Sequence, residues 1–196
     1  MRARSVFVVG VTLWPALAAG QTIPQPSGPE VTGTIAVSQL WDDESRLGTG
    51  LAGGAGIGYR WRGHFGVEAR VEGFTHERTF PSGVRFKAHG TRILGQAAYY
   101  WTDRNVQPFA AGTFGVMKVR QRNEYPIQQP GPTGPPIVTG IQVFEDDHTE
   151  MVWGGGGGVR IRINDRFALR PEGGMLLSVP SNFMDIRFGV TAIVSW

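Results

Sequence analysis

The last thirteen residues of the chain alternate strictly between two kinds of side chain. A period of two places successive side chains on opposite faces of a β-strand. The segment is therefore predicted to be a strand with an apolar surrounding on one face and a polar one on the other. The apolar set is Met184, Ile186, Phe188, Val190, Ala192, Val194 and Trp196, and the other set is Asp185, Arg187, Gly189, Thr191, Ile193 and Ser195.

The amino-terminal residues carry the pattern of a secretory signal. Arg2 and Arg4 form a short basic start, an apolar stretch covers residues 6–17, and small residues follow up to Gly20. This order is typical of a cleaved signal peptide. The apolar run is shorter than the roughly 20 residues of a spanning helix and contains Pro15. We predict a cleaved signal over 1–20, followed by a short periplasmic segment over 21–29.

Composition narrows the class of protein. The net charge is +3, and the predicted signal contains two arginines and no acids, so the mature chain is nearly neutral, which argues against a nucleic-acid partner. The absence of cysteine excludes disulfides and thiolate metal sites. No other stretch is long and apolar enough for a transmembrane helix, so a membrane-spanning form of this chain must be a closed β-barrel.

Turn residues divide the chain into eight predicted strands. Tight connections follow the second, fourth and sixth strands, whereas longer ones follow the first, third and fifth. Tight turns on one rim and long loops on the other are typical of outer-membrane barrels. We predict an all-β fold, an eight-stranded antiparallel up-and-down transmembrane β-barrel over 30–196, with a long extracellular loop at about 121–149. The predicted strands are Glu30–Trp41, Gly48–Trp61, Phe65–Phe74, Arg85–Trp101, Val106–Arg120, Glu150–Ile163, Phe167–Val179 and Phe183–Trp196.

Side-chain volume predicts which face of the barrel looks outward. A soluble barrel of the lipocalin type would hold its bulky apolar residues inside. An eight-stranded barrel has an interior just wide enough to be filled by side chains. The polar faces here consist mostly of glycine and a few long charged residues, as on the third strand, where Gly66, Glu68, Arg70 and Glu72 oppose Phe65, Val67, Ala69 and Val71. The bulky face is therefore predicted to contact lipid. The fifth strand alternates less well, since Phe109 and Phe114 fall on opposite faces, and Pro171 predicts a distortion in the seventh.

Aromatic residues are concentrated at the predicted rims. Girdles of aromatic side chains at both membrane interfaces are a property of outer-membrane barrels. The predicted interface residues are Trp41, Tyr59, Trp61, Phe65, Tyr99, Trp101, Trp153, Phe167 and Trp196.

In this pattern, in its length and in the terminal alternation from Phe188 to Trp196, the chain resembles the small outer-membrane barrels of the OmpA/OmpX-like and opacity-protein-like group. The resemblance covers about residues 30–196. It implies an outer membrane of a Gram-negative-type bacterium, reached by secretory export, with outer-membrane lipid and lipopolysaccharide as surroundings. It also implies that Phe188 and Trp196 act as a signal to the barrel-assembly machinery.

Charged residues of both signs fall on the inward face. Isolated charges in so narrow a space would cost several kcal/mol, so we expect them to form a lumen ion-pair network. We predict that Glu172 bridges Arg160 and Arg187, with a second network around Arg70 on the far wall. Solvation by a wet lumen is the alternative. The predicted network residues are Glu68, Arg70, Glu72, Arg92, Arg160, Arg162, Arg170, Glu172, Asp185 and Arg187.

Features that suggest chemistry are weak in this sequence. Gly154–Gly158 continues into a strand, not into the helix that a phosphate loop needs. Asp146, Asp147, His148 and Glu150 carry metal-ligand groups but are predicted to be a solvated acidic loop. Ser181 has no nearby histidine in sequence, although a barrel could bring His76 or His148 towards it. No catalytic residue, cofactor or metal is predicted.

The predicted function is therefore a non-enzymatic integral outer-membrane protein with an envelope-structural or surface-interaction role of adhesion type. The loop at 121–149 is the predicted contact with a surface partner, because loops on a rigid scaffold carry recognition. The alternatives are a narrow channel for small or apolar solutes, a lipid A-modifying enzyme, and a soluble periplasmic barrel.

Overall fold

The structure, a computed structural model, describes residues 27–41, 46–61, 64–129 and 137–196. These residues form eight antiparallel strands in a closed barrel in which each strand pairs with its neighbours in sequence and β1 pairs with β8. The predicted eight-stranded up-and-down barrel is thereby confirmed. The strands are β1 Gly28–Trp41, β2 Arg46–Arg60, β3 Phe65–Thr79, β4 Arg85–Tyr100, β5 Val106–Gln129, β6 Ile137–Arg162, β7 Phe167–Val179 and β8 Met184–Ser195.

The barrel turns its bulky apolar side chains outward. On β1, Ile35 is 65% exposed while the neighbouring Thr34 is buried. The terminal strand behaves in the same way, with Phe188 and Val190 exposed and Asp185 and Thr191 buried. Outward chains of this kind fit lipid, whereas small, polar and charged ones fit the narrow interior.

Glycines on the inward face allow neighbouring strands to approach each other closely. A Cβ atom on Gly154 would overlap the carbonyl oxygen of Met175 on the neighbouring strand, and one on Gly158 would overlap that of Pro171. Both glycines are on the inward face of β6. They are part of a run that the strand continues through to Arg162 without a helix, so no phosphate loop is present there.

The fifth and sixth strands are much longer than predicted. β5 contains 24 residues and β6 contains 26, so most of the segment predicted as a loop at 121–149 belongs to these two strands. Residues 137–144 have a β-forming sequence that favours an extension of the sixth strand or a small hairpin, and they lie in β6, paired with β5. A sheet that continues beyond the membrane can carry charges on either face because both faces contact solvent.

Of the two predicted irregularities, the one in the fifth strand is wrong, and the bulge or distortion predicted at Pro171 is observed as an interrupted pairing. β5 alternates regularly: Phe114 is exposed, while Phe109 is buried at the periplasmic end of the lumen, where its ring centroid is 5.5 Å from that of Tyr100. Pro171 interrupts the pairing of β7 with β6, but the register is the same on both sides of the interruption and no bulge forms.

The predicted signal at 1–20 lies outside the described residues, as does most of the predicted periplasmic segment at 21–29, although Gly28 and Pro29 already belong to β1. Among the residues described, no helix has the length and apolar character needed to cross a bilayer.

Candidate functional site

The middle of the lumen contains a charge-balanced cluster of eight buried side chains, which we call the lumen network. It contains four arginines and four carboxylates, contributed by β3, β4, β7 and β8. The members are Glu68, Arg70, Glu72, Arg92, Arg170, Glu172, Asp185 and Arg187, all of them among the residues predicted to pair.

Glu72 is the centre of the upper part of this network. Its carboxylate accepts hydrogen bonds from Nε of Arg92 at 2.7 Å, from Nη1 of Arg187 at 2.8 Å and from Nη1 of Arg70 at 3.1 Å. Arg92 also donates to Asp185 at 2.6 Å. Because charge-assisted hydrogen bonds are shorter and stronger than neutral ones, these contacts hold the three strands β3, β4 and β8 together across the lumen.

The lower part of the network is a ring of four alternating charges. Arg70 donates to Glu68 at 2.8 Å and to Glu172 at 3.0 Å, and Arg170 donates to Glu68 at 2.8 Å. The ring is closed by an ion pair of 2.8 Å between Arg170 and Glu172. Each charge has an opposite charge on both sides, which offsets the cost of removing it from water.

Two predicted members lie elsewhere. Arg160 does not reach Glu172, because it pairs with Glu30 on β1 at 2.7 Å, close to the periplasmic end. Arg162 lies 3.6 Å from Asp165 in the turn after β6. The proposed bridge from Glu172 to Arg160 is therefore wrong, and the far-wall residues around Arg70 join Glu172 in one network. Glu30 was missed because it lies at the predicted start of the first strand, where its face could not be assigned.

An apolar layer covers the lumen network on the extracellular side. Phe74 is buried inside the barrel, and its ring centroid lies 5.3 Å from the guanidinium carbon of Arg92. Counting alternate positions from Glu72 on β3 would have placed it inward. The buried members of this layer include Leu40, Phe74, Phe86, Met117, Val152 and Leu176. The cavity between several of them has a volume of about 20 Å³, enough for a water molecule.

The predicted interface aromatics lie on the outer wall. All but the half-buried Trp41 are exposed. At the periplasmic rim several of them contact one another edge to face, with ring centroids 5.1 Å apart for Tyr59 and Trp61 and 5.2 Å apart for Phe65 and Tyr99. Trp153, near the other rim, pairs with Phe114 across β5 and β6.

Two arrangements contain the residue types of a nucleophilic triad but not its geometry. Ser38 contacts Nε2 of His76 at 2.8 Å, yet Asp185 lies 4.0 Å from the same nitrogen and so cannot orient the ring from its far side. The group is also buried.

At the extracellular rim, Ser181 donates to Glu150 and not to a histidine, and His148 lies between Asp146 at 2.9 Å and Glu150 at 3.0 Å. Each ring nitrogen of His148 thus faces a carboxylate. Within the part of the chain that the structure describes, no group of three or more His, Asp or Glu residues has the geometry to hold a metal ion.

The β5–β6 hairpin is the most prominent exposed element. A β-strand crosses a bilayer with about 9–11 residues, and here residues 115–129 of β5 and 137–152 of β6 lie beyond the pair of Phe114 and Trp153. β4 pairs with β5 as far as Glu124, so 125–129 of β5 and 137–142 of β6 extend beyond the neighbouring strands as a two-stranded hairpin. β7 pairs with β6 only from Met151 onward, so no described strand covers that edge of β6 over 137–150.

Comparisons with known proteins agree with this architecture. A family model described as the outer membrane protein beta-barrel domain matches residues 6–176. A comparison with curated protein sequences found no match.

Among solved structures, the chain is similar to Neisserial surface protein A, with 12% identity, a TM-score of 0.61, and coverage of 87% of this chain and 98% of that one. It is also similar to Ail, the attachment invasion locus protein of Yersinia pestis, solved with the heparin analogue sucrose octasulfate, with 10% identity, a TM-score of 0.58, and coverage of 87% and 99%. At these identities the likeness shows the fold. Together with the family match over most of its length, it shows that the chain belongs to the outer membrane protein β-barrel domain family and is located in the outer membrane of a Gram-negative bacterium.

Proposed function

We propose that this chain is a non-enzymatic surface protein that binds an extended segment of a partner protein through the β5–β6 hairpin. The observation that carries the proposal is the uncovered edge of β6 over 137–150. An uncovered strand edge presents unpaired N–H and C=O groups to which another strand can add.

Exposed apolar side chains beyond the membrane support a protein partner. Ile141 is 64% exposed, and Tyr125 and Phe144 are exposed and contact each other with ring centroids 5.7 Å apart. Aromatic and aliphatic side chains that have neither lipid nor a core around them are typical of interaction sites.

The charges of the hairpin argue against a polyanionic partner such as the sulfated sugar seen with Ail. Lys118 and Arg120 both lie beside Asp147, at 3.6 and 3.4 Å, and Arg122 lies between Glu124 and Glu145 at 2.9 and 3.3 Å. Each cation already has a carboxylate neighbour, so the hairpin offers no surplus of positive charge to a sulfate group.

The lumen supports a role at the surface over transport. The lumen network is balanced in charge and joins opposite walls, and the apolar layer lies above it. A solute would have to displace both.

The triad-like groups support a non-enzymatic role for the same chain, because Ser38 is buried and Ser181 contacts a carboxylate in place of a histidine.

The test is a hairpin of reduced length. Replacing residues 123–144 with Asn-Gly joins Arg122 to Glu145 by a two-residue turn and keeps the ion pair between them. Cells displaying the native chain should adhere to surfaces coated with fibronectin, laminin or collagen, and cells displaying the shortened chain should not. Heat-modifiable gel migration checks that the shortened barrel is folded in the outer membrane.

Two single substitutions separate the contribution of the end of the hairpin from that of its part nearer the barrel. Phe144→Ser should reduce adherence, whereas Arg122→Gln, which alters an exposed ion pair worth at most about 1 kcal/mol, should leave it unchanged. Equal adherence of the native and shortened chains at equal surface levels would contradict the proposal.

A further inference from the structure

The periplasmic mouth of the lumen contains an arginine whose charge meets no acceptor. Arg60, the last residue of β2, is 3% exposed, and its three guanidinium nitrogens have no hydrogen-bond partner among the described residues. Its guanidinium carbon lies 4.2 Å from the ring centroid of Tyr100. That aromatic contact stabilises the positive charge but leaves the N–H donors unsatisfied, and buried unsatisfied donors are costly.

The residues around Arg60 add further positive charge at this mouth. Arg160 and Arg162 on β6 line the same cavity as Arg60. Glu30 pairs with Arg160 at 2.7 Å, and the solvent-exposed Asp165 lies 3.6 Å from Arg162. Among the described residues, the carboxylates that line this cavity are Glu30, beside Arg160, and Asp165, beside Arg162, and neither lies within ion-pair distance of Arg60.

The cavity beside Arg60 is large enough and suitably placed to admit one oxygen atom of an anion. Its volume is about 10 Å³, room for one water-sized group, and exposed residues of the β6–β7 turn form its mouth. One oxygen can enter towards Arg60 while the rest of the molecule stays at the mouth, where Asn164 and Arg166 line the opening.

We propose that this periplasmic mouth is a binding site for a phosphate group, one oxygen of which accepts hydrogen bonds from Arg60. Arginine presents several donors in a planar fork that matches the oxygens of phosphate. A phosphate group supplies both the acceptors and the negative charge that the site lacks. The site faces the periplasm and is independent of the surface role of the hairpin.

Isothermal titration calorimetry on the purified full-length chain in detergent tests the site. Inorganic phosphate and ethyl phosphate are titrated in parallel, and their relative affinities distinguish free phosphate from a phosphate ester as the preferred source. Arg60→Met keeps much of the side-chain length and removes the charge, so binding should weaken about tenfold to a hundredfold, as expected for lost hydrogen bonds to a charged group. Arg122→Met, on the exposed hairpin, is the matched control and should leave binding unchanged.

Thermal unfolding gives a second readout that does not depend on calorimetry. Phosphate should raise the unfolding temperature of the native chain and leave that of Arg60→Met unchanged, because a ligand stabilises only the state that binds it. Without phosphate, Arg60→Met should be at least as stable as the native chain, since it removes a buried charge that has no ionic partner.

Glu30→Gln should strengthen phosphate binding, whereas Arg60→Met should weaken it. It removes the carboxylate that competes with phosphate for Arg160, so phosphate should bind more tightly to this variant. The proposal is overturned if neither phosphate compound binds the native chain, or if Arg60→Met binds them as the native chain does.

Discussion

Arg92 on β4 and Asp185 on β8 meet across the full width of the barrel, with Nη1 of Arg92 2.6 Å from Oδ2 of Asp185. These strands lie opposite each other in the closed order of eight. The same guanidinium also donates to Glu72 on β3. One side chain thus connects both walls of the cylinder, and the lumen network is part of what holds the barrel closed.

Loss of the charge at Glu72 should destabilise the barrel strongly. Glu72→Gln leaves Arg70, Arg92 and Arg187 with one carboxylate fewer among them, and breaking a buried ion pair on one side costs about 3–5 kcal/mol. The temperature at which the folded gel band disappears should fall. Glu145→Gln changes an exposed carboxylate and should shift this temperature little. An unchanged temperature for Glu72→Gln would mean that the network is solvated and contributes no stability.

The native barrel should be silent in planar-bilayer recordings because the lumen network occupies its cross-section. Replacing Arg92 and Asp185 together with alanine keeps the charge balance and should leave the barrel silent, since the ring of charges around Arg70 remains. Adding Arg70→Ala and Glu172→Ala also removes half of that ring, again without a net change in charge, and should produce conductance. Steady conductance by the native chain would show that the lumen network does not close the pore.

Two glycines of β5 should respond differently to alanine. A Cβ atom on the inward-facing Gly115 would overlap the carbonyl oxygen of Ile93, whereas one on the outward-facing Gly112 would meet no heavy atom within 4 Å. Gly115→Ala should therefore lower the free energy of unfolding by about 1–3 kcal/mol, the usual cost of overpacking. Gly112→Ala should be close to neutral. Urea unfolding in lipid vesicles measures both, and equal effects would contradict the close strand approach at Gly115.

Trp196 is predicted to act in assembly, as the resemblance to small outer-membrane barrels implies. Trp196→Ala should reduce the fraction of the chain that reaches the folded, heat-modifiable form in cells. The same variant refolded in detergent should be nearly as stable as the native chain, because the side chain is exposed on the outer wall. Trp153→Ala removes another exposed interface tryptophan and serves as the control. An equal loss in cells for both variants would assign Trp196 an interfacial role only.

Contacts between neighbouring strands followed from the sequence where a tight turn set the register. If Ile163 faces Phe167 across the tight turn after the sixth strand, Arg160 lies opposite Arg170, and the backbone hydrogen bond from Ile163 to Phe167 agrees with this register. Likewise, if Ser178 faces Phe183 across the next turn, Glu172 lies diagonal to Arg187, and the observed register of β7 with β8 is the same. What this local reasoning could not decide was which of several nearby arginines Glu172 would contact.

The alternation of side chains determined by itself that this chain forms strands with an apolar outer face, and glycine among long charged residues determined that the polar face points inward. Only the closed barrel decided the partners across the lumen, because ring closure brings together residues as far apart as Glu30 and Arg160 or Arg92 and Asp185. The length of the β5–β6 hairpin was also a tertiary result. Beyond the membrane both faces of a strand contact water, so the contrast between faces that reveals a strand in the sequence disappears.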